Sequence, residues 1–138
     1  MYRRILIAFD GSDAASKAFD AALDLAKRFQ AELHALSVAP VPEVGDEVEG
    51  EAWIEQARRR HKHLLQLLNH RADAAGQAVQ LELQVGHAAQ QIIEHAQALQ
   101  ADLIVVGHRG HGPLDRWRLG SVSHRVISYA ECAVLVVR

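Results

Sequence analysis

The sequence predicts an α/β fold, a three-layer sandwich in which four helices cover the two faces of one five-stranded parallel sheet. Five apolar runs alternate with four segments of helical periodicity along the 138 residues. Strands that alternate with helices in this way form parallel βαβ units, whose crossovers are right-handed. A chain of this length is expected to form one domain, residues 1–138.

The first half of the pattern contains two strands and two helices. The first strand, Arg3–Phe9, is apolar without alternation, as expected of a strand that is covered on both faces. Apolar residues at helical spacing then predict a helix over Asp13–Phe29, and a second strand follows over Glu32–Val38. A loop rich in proline, glycine and acidic residues leads to the longest helical pattern, from about Glu51 to Ala75.

The second half begins with a strand over Val79–Val85, whose strict alternation is typical of a half-exposed strand. A helix is predicted over His87–Leu99 and a buried strand over Asp102–Val106. After a glycine-rich segment, the pattern ends with a helix over about Ser121–Tyr129 and a strand over Ala133–Val137.

Exposure patterns predict the order of the strands. The first and fourth strands are continuously apolar and should be central, whereas the alternating third strand should lie at an edge. A flavodoxin-like or Rossmann-like order of 3-2-1-4-5 satisfies both conditions. The last strand, Ala133–Val137, then forms the other edge although it is apolar on both faces. Because an uncovered apolar edge promotes association, we expect this strand to pair with its copy in a homodimer.

Composition excludes several classes of protein. The formal net charge is -2, so no global basic excess points to nucleic acid, and the basic Arg58–Lys62 is expected to be a solvated face opposed by nearby acids. No apolar run approaches membrane-spanning length, and the apolar stretch near the start is too short for a signal peptide. A single cysteine excludes an internal disulfide. We therefore expect a cytoplasmic protein that binds neither nucleic acid nor membrane.

The glycine-rich segment after the fourth strand is the main candidate site. It has the spacing Gly107-x2-Gly110-x9-Gly120-Ser121 and opens where the first strand ends in Asp10-Gly11-Ser12. In a sheet of this order, ligands bind at the carboxyl ends of the strands where the winding direction reverses. Glycines allow backbone N–H groups to approach an anion, and a helix start at Ser121 favours phosphate. The alternative is a turn-rich surface loop with a serine cap on the last helix.

Three stretches together with this motif are similar to the universal stress protein family over nearly the whole chain. They are "ILIAFDGSDAASKAF", "ADLIVVGHRGHGPLDRWRLGSVSHRVI" and "VLVV". The resemblance implies ATP binding with Mg²⁺ or Mn²⁺. By matching position, Ala8 would line the base pocket, Asp10 would meet the ribose and indirectly the metal, and the backbone of Val38 would hydrogen-bond the adenine edge. The residues that would flank the ribose or hold the phosphates are Gly107, Arg109, Gly110, Gly120, Ser121, Val122 and Ser123.

The chain departs from the family pattern at three places. His108 stands where a small serine or threonine is usual, His87 opens the third helix with a poorer cap, and no proline precedes the last strand. The leading hypothesis is a regulatory, stress-response homodimer that binds ATP, without catalytic residues. The alternatives are a dimeric interaction module without nucleotide and a slow ATPase or autophosphorylating protein with Ser121 and Ser123 as acceptors.

Other motifs are interpreted as fortuitous or structural. The H-x-G-H at His108–His111 follows the fourth strand rather than the first, where nucleotidyltransferases have it. No G-x4-G-K-[ST] is present, so a P-loop is excluded. His61 falls on the apolar stripe of the second helix, and His63 is two residues away, which does not place both on one face. A partly buried His61 is therefore favoured over a metal site.

Overall fold

A computed structural model describes residues 1–41, 47–108 and 119–138, with the side chains of residues 47–49 excepted. It has one parallel five-stranded sheet in the order β3-β2-β1-β4-β5, which confirms the predicted topology. Four helices connect the strands. The elements are β1 (Arg4–Ala8), α1 (Asp13–Phe29), β2 (Glu32–Ala39), α2 (Glu47–Ala74), β3 (Val79–Val85), α3 (Ala88–Leu99), β4 (Leu103–Gly107), α4 (Ser121–Tyr129) and β5 (Ala133–Val137).

The central strand β1 divides the core into two apolar layers. Ile5 and Ile7 belong to the layer under α1 and α2, and Leu6 belongs to the layer with α3 and α4. All three side chains are fully buried, which explains why β1 reads as a continuous apolar run. The sheet therefore has apolar contacts on both faces.

Helix starts follow the local chemistry with one difference from the sequence prediction. Ser12 caps α1 by accepting a hydrogen bond from the Ala15 N–H, whereas His87 at the start of α3 makes no side-chain cap, as expected. The helix α2 begins at Glu47, four residues before the predicted start at Glu51. Glutamate is a good helix former and is favoured near a helix N-terminus, so the acidic segment joins the helix rather than the loop.

Both edge strands are partly exposed. β3 alternates between exposed and half-buried residues over most of its length, as predicted. In β5 the side chain of Leu135 is 36% exposed. Within the described ranges, no helix combines the length and apolarity needed to cross a membrane.

Candidate functional site

An open cavity of about 270 Å³ lies at the carboxyl ends of β1 and β4. This is the point at which the winding of the sheet reverses, where ligands bind in open α/β sheets. Arg109 and Gly110 lie outside the described residues. The structure brings the other predicted site residues together, since all of them line the cavity: Ala8, Asp10, Val38, Gly107, Gly120, Ser121, Val122 and Ser123.

Apolar walls of the cavity were not predicted from the sequence. They come from alternate positions of strands already assigned and from one face of α3. Ala88 and Ile92 are four residues apart, so they share a helix face, and Leu36 precedes Val38 by two residues on the same strand face. Strand and helix periodicity therefore contained this information. The lining residues missed are Phe9, Ser12, Ala15, Leu36, Ala88, Ile92 and Val106.

One end of the cavity is formed by the backbone of Val38. The ladder between β1 and β2 ends at the pair Ala8 and Leu36, and the Phe9 N–H donates to the Leu36 C=O at 2.9 Å. On the other side, the Gly86 N–H donates to the Ala39 C=O at 3.0 Å. Successive residues of a strand direct their backbone groups to opposite neighbours.

The N–H and C=O of Val38 therefore face the β1 side, beyond the last residue of β1. Neither group has a hydrogen-bond partner in the described part of the chain. Since Val38 lines the cavity, one donor and one acceptor are available side by side at its wall.

The opposite end of the cavity is the N-terminus of α4. Gly120 is the N-cap residue in an extended conformation, and no side chain caps this helix. Its N–H donates to the His108 C=O at 2.8 Å, and its C=O accepts from the His124 N–H at 2.9 Å. The first-turn N–H groups, those of residues 121–123, have no partner among the described residues. These groups and the helix dipole make this end of the cavity favourable for an anion.

Ser123 connects α4 to β4. Its side chain is buried, and its hydroxyl donates to the Gly107 C=O at 2.6 Å. The hydroxyl predicted to meet phosphate is therefore engaged within the protein, whereas Ser121 is exposed. Ser123 lines the cavity, and its side-chain hydrogen bond joins the first turn of α4 to the end of β4.

Gly107 has a packing role that the sequence did not reveal. A Cβ at this position would lie 2.8 Å from the carbonyl carbon of Ala14 and 2.9 Å from the nitrogen of Ala15. Real Cβ atoms do not approach backbone so closely, so the glycine is required for the first turn of α1 to pack against the end of β4. The sequence prediction had attributed this glycine to the approach of an anion.

Asp10 is positioned at the start of α1 by a short turn. Its Oδ1 accepts a hydrogen bond from the Ser12 N–H at 2.9 Å, and the intervening Gly11 has a φ of 86°, in the left-handed region. Asp10 supplies the one carboxylate among the described lining residues. No group of three or more His, Cys, Asp or Glu side chains that could hold a metal ion occurs in the described ranges.

Comparison with known proteins agrees with this architecture. The sequence model described as "Universal stress protein family" matches residues 1–138. A universal stress protein of Bacillus subtilis is 40% identical over 148 residues, covering 100% of both chains. The solved structure of universal stress protein UspA from Lactobacillus plantarum has a TM-score of 0.89 at 30% identity, covering 99% of this chain and 98% of that one. A universal stress protein in complex with cAMP has a TM-score of 0.78 at 27% identity, covering 99% and 97%.

Proposed function

This chain belongs to the universal stress protein family, and we propose that it is a regulatory protein that binds an adenine nucleotide, ATP in particular, in the cavity between Val38 and α4. One observation carries the proposal: the N–H and C=O of Val38, which have no partner among the described residues, line the same cavity as the N-terminus of α4. The related structure in complex with cAMP supports an adenine nucleotide as the ligand class.

The base would occupy the end formed by Val38. Adenine has an amino donor next to a ring-nitrogen acceptor on its outer edge, which is complementary to one backbone C=O and one N–H. The side chains of Leu36, Ile92 and Val106 provide apolar walls for the faces of the ring. A guanine or hypoxanthine edge presents an acceptor and a donor in the reverse order, so the same backbone pair would disfavour it.

The phosphates would lie at the N-terminus of α4. The first-turn N–H groups of α4 offer hydrogen bonds to phosphate oxygens, and Gly120 leaves room for their approach. The Asp10 carboxylate can accept hydrogen bonds from ribose hydroxyls. Mg²⁺ binds to proteins through one or two carboxylates together with phosphates, so a single Asp10 fits a Mg²⁺ or Mn²⁺ that arrives with the nucleotide. Such an ion would neutralise phosphate charge.

Regulation through occupancy is favoured over turnover. Phosphoryl transfer depends on a group that orients the attacking nucleophile, and Asp10 is the one carboxylate among the described lining residues. Its Oδ1 already accepts the Ser12 N–H. The protein would therefore report the level of the nucleotide by being loaded or empty.

A homodimer through β5 is the second part of the proposal. β5 pairs with β4 on one side, and Leu135 on β5 together with Ile127 and Tyr129 on the preceding helix are large exposed apolar residues. Pairing of two β5 strands would cover this edge. Sedimentation velocity should show a dimer at micromolar concentration, and Leu135→Lys should shift it toward monomer. A wild-type monomer at that concentration would contradict this part.

The binding proposal is tested first on the protein as purified. Released small molecules are identified by mass spectrometry after denaturation, and ATP with Mg²⁺ is then titrated by calorimetry into the nucleotide-free protein. Co-purified adenine nucleotide, or ATP binding in the micromolar range, is expected. A protein that is empty on purification and gives no heat on titration would refute the proposal and favour a nucleotide-free interaction module.

A further inference from the structure

A buried hydrogen-bonded pair lies behind the base end of the cavity. Ser37 of β2 and His61 of α2 are joined through the Ser37 Oγ and the His61 Nδ1, which are 2.5 Å apart. The Ser37 side chain is fully buried and His61 is 8% exposed. Ser37 belongs to the opposite face of β2 from Leu36 and Val38, because side chains alternate along a strand.

The surroundings of the pair are apolar. The other buried residues of α2 are Ala57, Leu65, Leu68 and Ala72, and the last three pack in the core layer that α2 covers. A hydroxyl and an imidazole in such a layer contribute less to burial than aliphatic side chains would, and each must be satisfied by the other. A serine hydrogen-bonded to a histidine also resembles a nucleophile with its base, but full burial of Ser37 leaves no access for a substrate.

The position of Ser37 in the sheet indicates what the pair does. β2 extends beyond the last β1 pair at Leu36, so Ser37, Val38 and Ala39 pair with β3 alone. A strand end held on one side is free to shift or fray. The bond to His61 is a second attachment, and it lies one residue before the backbone groups that form the cavity wall.

We propose that the Ser37–His61 hydrogen bond is a positioning device that fixes the end of β2 against α2, so that the N–H and C=O of Val38 keep the direction in which they read the base. The device is a property of the ligand-free protein, and its consequence for base selectivity rests on the proposed function. His61 and Ser37 are positioning residues because neither lines the cavity.

The charge of Asp10, which lines the cavity, acts on His61. Burial lowers the pKa of His61, the nearby positive charge of Arg60 lowers it further, and the Asp10 carboxylate raises it. His61 is therefore neutral at neutral pH, and its Nδ1 either accepts the Ser37 hydroxyl proton or donates to the hydroxyl oxygen. Among the described residues, the charges that shift the pKa of His61 are those of Arg60, from its own helix, and Asp10, from the turn after β1.

Hydrogen exchange in the ligand-free protein tests the device directly. In His61→Leu, the amides of Ser37 and Ala39 should exchange about tenfold faster than in the wild type, while those of Leu33 and Ala35 near the start of β2 change little. His61→Asn places a hydrogen-bonding atom near the position of Nδ1, so it should restore most of the protection. Leu68→Ala, a buried α2 residue two turns away, should accelerate exchange along the whole strand without this local pattern.

Nucleotide selectivity gives a second readout of the same variants. Inosine triphosphate differs from ATP by a carbonyl in place of the amino group at the base edge. His61→Leu should reduce the ratio of ATP affinity to inosine triphosphate affinity about fivefold, whereas Leu68→Ala should leave the ratio unchanged. If His61→Leu does not fold, Ser37→Ala removes the same hydrogen bond with a smaller change in volume.

The two proposals fail separately. Wild-type exchange at Ser37 and Ala39 in a folded His61→Leu protein would overturn the positioning role, whatever nucleotide the wild type binds. A wild type without affinity for ATP would refute the proposed function, and the exchange result would still decide whether the strand end is held by the pair.

Discussion

The two ends of the cavity are built by different means. The phosphate end is formed by glycines, serines and a helix start, and these residue types are visible in the spacing from Gly107 to Ser121. The end proposed for the base is formed by the N–H and C=O of Val38, which have no partner among the described residues because β2 continues after β1 has stopped. The end at α4 therefore depends on the types of residue present, and the end at Val38 depends on the lengths and register of the strands. Substitutions should act by different routes at the two ends.

The largest effect on stability is expected at Gly107, which lines the cavity and also packs against the start of α1. Gly107→Ala would place a methyl group against the backbone of Ala14 and Ala15, so the free energy of unfolding should fall by about 2–3 kcal/mol. Urea denaturation followed by circular dichroism measures this change. Gly50→Ala is the matched control, since nothing lies within 4 Å of its Cβ position in the first turn of α2. It should stabilise the protein by about 0.5–1 kcal/mol. Equal stability of the two variants would contradict the packing role of Gly107.

Gly120→Ala isolates the phosphate end. Gly120 has φ -61° and ψ 151°, a conformation that any residue adopts, so stability should change by less than about 0.5 kcal/mol. The added methyl group at the start of α4 should nevertheless obstruct the phosphates and weaken ATP binding about tenfold, or about 1.4 kcal/mol. Calorimetry with ATP and Mg²⁺ measures the affinity. Unchanged affinity in this variant would argue against phosphate binding at α4.

The contribution of the Val38 end to affinity is tested by changing the ligand instead of the protein. Inosine triphosphate should bind the wild type about fivefold more weakly than ATP, or about 1 kcal/mol, because its edge does not match the Val38 backbone pair. In Gly120→Ala the affinities of both nucleotides should fall while their ratio stays the same. A ratio of one in the wild type would show that Val38 does not read the base.

The comparison also explains which parts of the molecule were predictable. Continuous apolar runs identified β1 and β4 as central, and alternation identified β3 as an edge, so the strand order followed from burial alone. The glycine spacing also predicted Gly107, Gly120 and Ser121, which line the cavity, whereas their contact with phosphate stays a prediction. The packing of Gly107 against Ala14 was not predictable, because the two residues are far apart in sequence. The early start of α2 was not predictable either, because the composition of the acidic segment is compatible with both a loop and a helix.

The Ser37–His61 pair was predictable in part. The helical stripe of α2 predicted that His61 is partly buried, and it is, but no local pattern gave its partner on β2. A buried histidine requires a polar partner, and sequence spacing does not identify one that comes from another element. The structure is therefore needed to identify the hydrogen-bond partner of a buried histidine.

The smallest expected effect concerns this pair and pH. The pKa of His61 in the folded protein is below its ordinary value of 6.5, chiefly because burial penalises the charged imidazole. Between the folded-state pKa and 6.5, the unfolded chain binds more protons than the folded one, so stability rises with pH across that window. The stabilisation is complete above 6.5 and is lost as the pH falls through the folded-state pKa.

His61→Asn should therefore flatten the dependence of the urea midpoint on pH in the window just below 6.5. His63→Asn, at an exposed position of the same helix, should keep the wild-type slope. Glu32 acts in a separate window: the hydrogen bond with His34 and the charge of Arg4 lower its pKa, so its contribution is lost only below its ordinary value of 4.5. A His61→Asn protein with the wild-type slope would mean that another group is responsible for the pH dependence in this range.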